Sequence, residues 1–255
     1  MQYLCGVEQL TTSDMNADRK LFRRGRLLGA CALLAIMLTT SCGNKATEPA
    51  EAEEPSRQIS VEAEEIAPEE LARNVSGTVA GHDYVDLGLS VKWATCNIGA
   101  RRPEVFGNYY AWGETEPKTS FTQDNSETYG KEMSGDISGN ADYDAARANW
   151  GGSWRTPTIG EMEEIVNRCS WERATVDGKG GFKVTGPSGK YIFLPAAGAR
   201  HGTKAGNVGE DGFYWSSTPG DNMTYNAHFL GFSLENPYES WTIRSGGRSI
   251  RPVTK

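Results

Sequence analysis

The sequence predicts an α+β fold in which short, twisted antiparallel strands, long loops and one or two helices form a single domain over residues 81–255. Three observations carry that expectation. β-favouring runs bounded by turn residues recur at 84–87, 91–95, 182–185, 190–194, 213–216, 226–232, 241–244 and 249–253. One helix has a punctuated start at Thr158. All seven tryptophans and most of the 30 glycines follow residue 80, the composition of large rings packed between many turns.

From the N-terminus, residues 1–41 read as an export signal. Arg19, Lys20, Arg23, Arg24 and Arg26 lead into an apolar run at 27–38, then Thr39, Thr40, Ser41 and Cys42. The run is well short of the ~20 residues that a permanent membrane helix needs. The order resembles the lipobox of secreted bacterial lipoproteins, in which the cysteine is diacylated and becomes the new N-terminus. Thr39 stands where that motif usually carries Leu, with Leu38 one place earlier. Met15 directly precedes the basic cluster, while Glu8 and Asp14 are foreign to a signal, so Met15 is the expected start. The expected location is the outer membrane, with lipid on Cys42 as the anchor and the cell surface or the periplasm as the face.

Residues 42–80 are rich in Glu, Ala, Ser and Pro with almost no aromatic side chains, and read as an acidic flexible tether. Pro68 is expected to interrupt a short helix there. Discarding residues 1–41 leaves 21 basic against 30 acidic side chains, a net charge of −9. Nucleic acid is not an expected partner, because its binding needs a basic stripe.

Within the domain, Gly186, Pro187, Ser188 and Gly189 read as the turn of a hairpin between two β-favouring runs. Thr158 and Glu161 form a capping box, and Met162, Ile165, Val166 and Cys169 follow at helical spacing. A shorter helix is expected over 141–149, where Ala145, Ala146 and Ala148 are strong formers. Gly178, Gly180 and Gly181 read as a tight turn. Once the signal is gone and Cys42 carries lipid, Cys96 and Cys169 remain. They either form one disulfide, worth roughly 4 kcal/mol, or stay separate buried thiols.

A series of short motifs is recognisable in order: 84–89 (YVDLGL), 93–99 (WATCNIG), 110–114 (YAWGE), 148–151 (ANWG), 154–158 (WRTPT), 193–198 (FLPAAG), 214–217 (YWSS) and 250–253 (IRPV). Together these resemble the Fibrobacter succinogenes major paralogous domain, found in surface lipoproteins of the Bacteroidota and relatives. That family is similar to the C-type-lectin-like fold, including the branch of sulfatase-modifying enzymes. The resemblance implies a loop-rich scaffold for display and binding, with Trp150, Trp154, Arg155, Trp215 and Arg251 in structural roles. It does not extend to formylglycine-generating chemistry, which needs late cysteines, and none follows Cys169.

The same sequence offers few catalytic arrangements. His82, His201 and His228 form no ligand pair at motif spacing. Ser216 and Ser217 lack a nucleophile elbow. A calcium site would draw on Asp136, Asp142 and Asp144, set against the reading of solvated loop acids. Rings are numerous at Tyr109, Tyr110, Trp112, Tyr214, Trp215, Tyr238 and Trp241. Tyr238 and Trp241, with Asn222 and Asn236 as polar contacts, are the expected ligand-binding set. The leading function is a non-enzymatic module that binds glycan or protein. The alternatives are an appendage subunit or tip, and a polysaccharide hydrolase using a carboxylate pair among Glu104, Glu114, Glu116 and Asp211.

Overall fold

The computed structural model describes residues 63–133, 135–221, 224–233 and 236–255. The signal at 1–41, the start at Met15, Cys42, the tether up to residue 62 and Asn222 lie outside the described residues. What is described is a loop-rich α+β protein, mostly strand with few helices. In chain order the first elements are β1 (Glu64–Glu65), α1 (Pro68–Arg73), β2 (Gly77–Val79), β3 (His82–Val85) and β4 (Lys92–Ala94). After a long loop come α2 (Ala145–Trp150), α3 (Ile159–Arg168), β5 (Ser170–Val176), β6 (Lys179–Thr185) and β7 (Tyr191–Pro195). The last are β8 (Ala199–His201), β9 (Lys204–Gly206), β10 (Gly212–Pro219), β11 (Asn226–Phe232), β12 (Pro237–Ile243) and β13 (Val253–Thr254).

Among the described residues these strands form sheets ordered β1-β5-β6-β7, β13-β4-β3-β2, β10-β11-β12 and β8-β9. The 186–189 turn closes the β6–β7 hairpin, with Gly186 N donating to Lys190 O at 2.9 Å. The main core gathers Trp93 from β4, Phe182 and Val184 from β6, Ile192 and Leu194 from β7, and Leu230 and Phe232 from β11. Against it packs the apolar stripe of α3, Met162 and Ile165. Residues 248–254 stitch this interior together. Arg248 bridges to Tyr110, Ile250 O accepts from Ile98 N, and Val253 pairs with Trp93 in β4.

Strand β7 is buried at every position, so both faces of its sheet need cover. Ile192 and Leu194 face the main core. Tyr191 and Phe193 point the other way, into a second cluster with Ala174, Val176, Ile66 and Leu71. Ile66 and Leu71 come from the segment read as tether. The boundary at residue 80 is therefore corrected: the folded unit already includes Glu64, whose strand pairs in parallel with β5. Pro68 does not interrupt a helix but opens one, since its missing N–H costs nothing in the first turn. With α1, the described residues hold three helices rather than one or two. None is long and apolar enough to cross a membrane.

The shorter helix begins at Ala145, not at residue 141, because Asp144 is its cap. The Asp144 side chain is fully buried and accepts from Ala146 N, Gly139 N, Thr156 N and Thr156 Oγ1 at 2.6–2.9 Å. It ties the 136–144 loop, α2 and the loop before α3 together. Asp136 instead accepts from Ser138 N and Thr218 Oγ1. Asp142 lies exposed beside Asn140. The calcium expectation is thus corrected, as the three acids do not converge and no metal-holding group of His, Cys, Asp or Glu occurs among the described residues. Asp144→Asn keeps a good helix cap but turns one acceptor into a donor against backbone N–H groups. It should cost about 2 kcal/mol in urea unfolding, and an unchanged midpoint would contradict this account.

Cys96 and Cys169 are both free, which settles the open choice against a disulfide. They serve different elements, Cys96 behind β4 and Cys169 at the end of α3 against the main core. Burial pushes the Cys169 thiol up to about 11. The unfolded chain ionises near 9, so this group's stabilising effect is complete below pH 9 and is lost as pH rises through 11. At pH 8, alkylation of Cys169 by iodoacetamide should run on the order of a hundredfold slower than that of a free cysteine. Peptide mapping after timed labelling checks this.

Candidate functional site

A cavity of about 260 Å³ opens where the loop after β4 meets the tip of the β5–β6 hairpin. Its walls carry Arg102, Glu104, Val105, Phe106, Asp177 and Lys179. The hairpin side is a two-residue turn: Asp177 and Gly178 both have positive φ, of 52° and 69°, between the paired residues Val176 and Lys179. An Asp-Gly pair is the preferred sequence for a turn of this twist. Glu65 in β1 braces it, accepting from Asp177 N at 3.2 Å and from Thr175 Oγ1.

The opposite wall is built by a tight return of the chain. Asn108 N donates to Ile98 O at 2.8 Å, and Asn97 Nδ2 holds Phe106 O at 2.9 Å. Gly107 sits at φ 73°, where an added Cβ would lie 2.3 Å from Ile98 O, so only glycine fits this return. Phe106 is thereby anchored, and its side chain packs against the cluster of Tyr109, Ala111, Phe121 and Ala197.

Arg102 is a strut across the mouth. Its Nε lies 2.8 Å from Glu104 Oε1 and its Nη1 3.2 Å from Asp177 Oδ2. The Arg102 side chain is 62% exposed, whereas that of Glu104 is 3% exposed. No N–H points squarely at Glu104 Oε1, so this buried oxygen is held by charge rather than by an aligned hydrogen bond. Lys179 Nζ lies over the Phe106 ring, 5.7 Å from its centre. One apolar ring, two cations and two carboxylates thus share one small concavity.

The residues expected to bind ligand lie elsewhere. Tyr238 and Trp241 are exposed, 38% and 53%, on β12, an edge strand among the described residues. Three positions apart on a strand, they leave opposite faces of the sheet. Trp241 sits across from His228 and Tyr238 across from Gly231, so no single ligand stacks on both. Asn236 is exposed just before β12. Most of the remaining rings are used inward. Trp112 Nε1 donates to Ser216 O and Trp215 Nε1 to Tyr110 O, both at 2.9 Å, and the Tyr214 hydroxyl donates to Pro195 O at 2.6 Å.

The residues given structural roles are placed as follows. Trp154 and Trp215 are buried, and half-buried Trp150 stacks on His82 at 3.8 Å between ring centres. Arg155 Nη1 and Nη2 grip the two carboxylate oxygens of Glu161, at 2.8 and 2.5 Å, and this hydrogen bonding raises the guanidinium pKa. Arg251 is fully buried and donates to four acceptors. Arg248 is also buried, its guanidinium 4.6–5.6 Å from the ring centres of Trp215, Phe229 and Phe213.

Of the acids considered for hydrolysis, only Glu104 lines the cavity. Glu114 is paired with Lys118 at 2.6 Å, Asp211 accepts from Asn207 Nδ2, and Glu116 is exposed. Sequence reasoning missed the cavity as a site. Its one local signal was the Asp177-Gly178 pair between two strand-like segments. No protein-family model, curated protein or solved structure matches this chain.

Proposed function

We propose that this chain is a bacterial surface lipoprotein whose folded head binds glycan without catalysis. The signal ending at Cys42 supplies the outer-membrane anchor, and the acidic stretch after it sets the head off from the membrane. The ordered motifs from Tyr84 to Val253 support membership of the Fibrobacter succinogenes major paralogous domain, and with it a C-type-lectin-like scaffold. The observation that carries the binding function is the cavity in which the Phe106 ring lies beside Arg102, Glu104, Asp177 and Lys179. Convergent polar groups around an apolar floor are the usual make-up of a ligand site.

The test is a glycan array probed with the full chain in a sugar-free detergent. Retention of specific glycans is the expected result, and silence across the array would overturn the reading. A role as an appendage subunit is the second reading. It is favoured by β12, which among the described residues has a strand partner on one side only and exposes Trp241. A hydrolase is the weakest, since Glu104, Glu114 and Asp211 are each tied to a different partner.

A further inference from the structure

We propose that the cavity between the 97–108 loop and the β5–β6 turn takes the ring of a neutral hexopyranose, a sugar unit without carboxylate or phosphate. This deepens the glycan reading and rests on it. Three observations lead to that class of ligand.

First, about 260 Å³ admits one six-membered sugar ring and little more. Second, the polar lining is balanced. Arg102 and Lys179 offer donors, and Glu104 and Asp177 offer acceptors. Arg102 is already engaged by Glu104 and Asp177, so an acidic sugar would bring its carboxylate against these two with only Lys179 to offset it. An apolar ligand would strip water from four charged groups and give them nothing in return. A polyol answers both kinds of group at once, its hydroxyls donating to the carboxylates and accepting from the cations.

Third, the partly buried Phe106 ring, packed against the cluster of Tyr109, Ala111, Phe121 and Ala197 and with the Lys179 ammonium 5.7 Å from its centre, adds an apolar patch to an otherwise polar lining, as the C–H groups of a pyranose require.

Saturation-transfer NMR on the full chain in sugar-free detergent tests this, with methyl glycosides of glucose, galactose and mannose, and with glucuronate. At least one hexoside should bind with Kd on the order of 1 mM, as a small ligand in an open site does. Glucuronate should bind at least fivefold more weakly. Asp177→Asn preserves the turn, since Asn-Gly suits it equally, and Lys179→Met preserves the stem beside Phe106. Each should weaken the hexoside at least fivefold with Tm unchanged.

Preferential binding of glucuronate would overturn the neutral assignment. Equal hexoside affinity in the wild type and both variants would place the sugar elsewhere and overturn the site. Silence from every hexoside while the array still retains glycans would sink this inference and spare the glycan reading. Silence in both would end both.

Discussion

Arg251→Ala is expected to destabilise the fold by about 4 kcal/mol. Over a domain of this size, that lowers Tm by roughly 10–15 °C. The Arg251 guanidinium donates from Nε to Asn97 Oδ1 at 2.8 Å, from Nη1 to Ala94 O and Thr95 O at 3.0 and 2.7 Å, and from Nη2 to Phe193 O at 3.0 Å. Its removal orphans four acceptors, three of them on fully buried residues, and leaves a void. Burial pulls the guanidinium pKa down, a sign that desolvation opposes the charge. The loss is therefore smaller than four charge-assisted bonds would suggest.

The same substitution reaches the cavity, because Asn97 takes the Arg251 bond on one side and holds Phe106 O on the other. A hexoside bound at Phe106 should weaken with it, even at a temperature where the variant remains folded. A Tm within a few degrees of the wild type would refute the stability argument.

A chain beginning at Gly81 is expected to be ~3–6 kcal/mol less stable than the full chain, from the lost burial of Ile66 and Leu71 alone. That is a large share of the 5–15 kcal/mol that typically holds a domain folded. The truncation also removes β2, which pairs with β3, and exposes Tyr191 and Phe193 on the uncovered face of β7. Glu65 would no longer brace the Asp177 turn, so ligand binding should fall together with stability. Urea unfolding of the two proteins side by side decides the matter, and coincident midpoints would show that the segment is dispensable.

The parts of this fold that were legible in the sequence are those written in neighbouring residues. The Thr158–Glu161 capping box gives a helix starting at Ile159, with both reciprocal hydrogen bonds formed. The turn at 186–189 joins the two strands it was expected to join. Misreadings arose where the decisive partner is distant. Residues 63–80 look like a tether because their composition is acidic and plain, yet two apolar side chains among many glutamates suffice when a sheet needs a second cover. The continuous apolar run of β7 was the available hint, since a strand greasy on both sides implies two layers.

Pro68 was misread for a related reason, as its effect depends on whether it stands first or midway in a helix. For the site, the sequence exposed rings in order of size rather than of accessibility. Most of the large ones are consumed by the interior, and Phe106, the ring beside the cavity, is ordinary in its local context. Its neighbours Asp177 and Lys179 lie some seventy residues away along the chain, so only folding brings them together.

The stitching by residues 248–254 bears on when the protein can fold. Until that segment has left the ribosome, β4 lacks its neighbour β13, Tyr110 lacks its bridge to Arg248, and the four acceptors of Arg251 stand open. Contacts between positions so far apart in the chain form late and slowly. Until residues 248–254 dock, the local hairpins β5–β6–β7 and β10–β11–β12 are complete in themselves, while the loop from Trp93 to Tyr110 lacks the neighbour that fixes it.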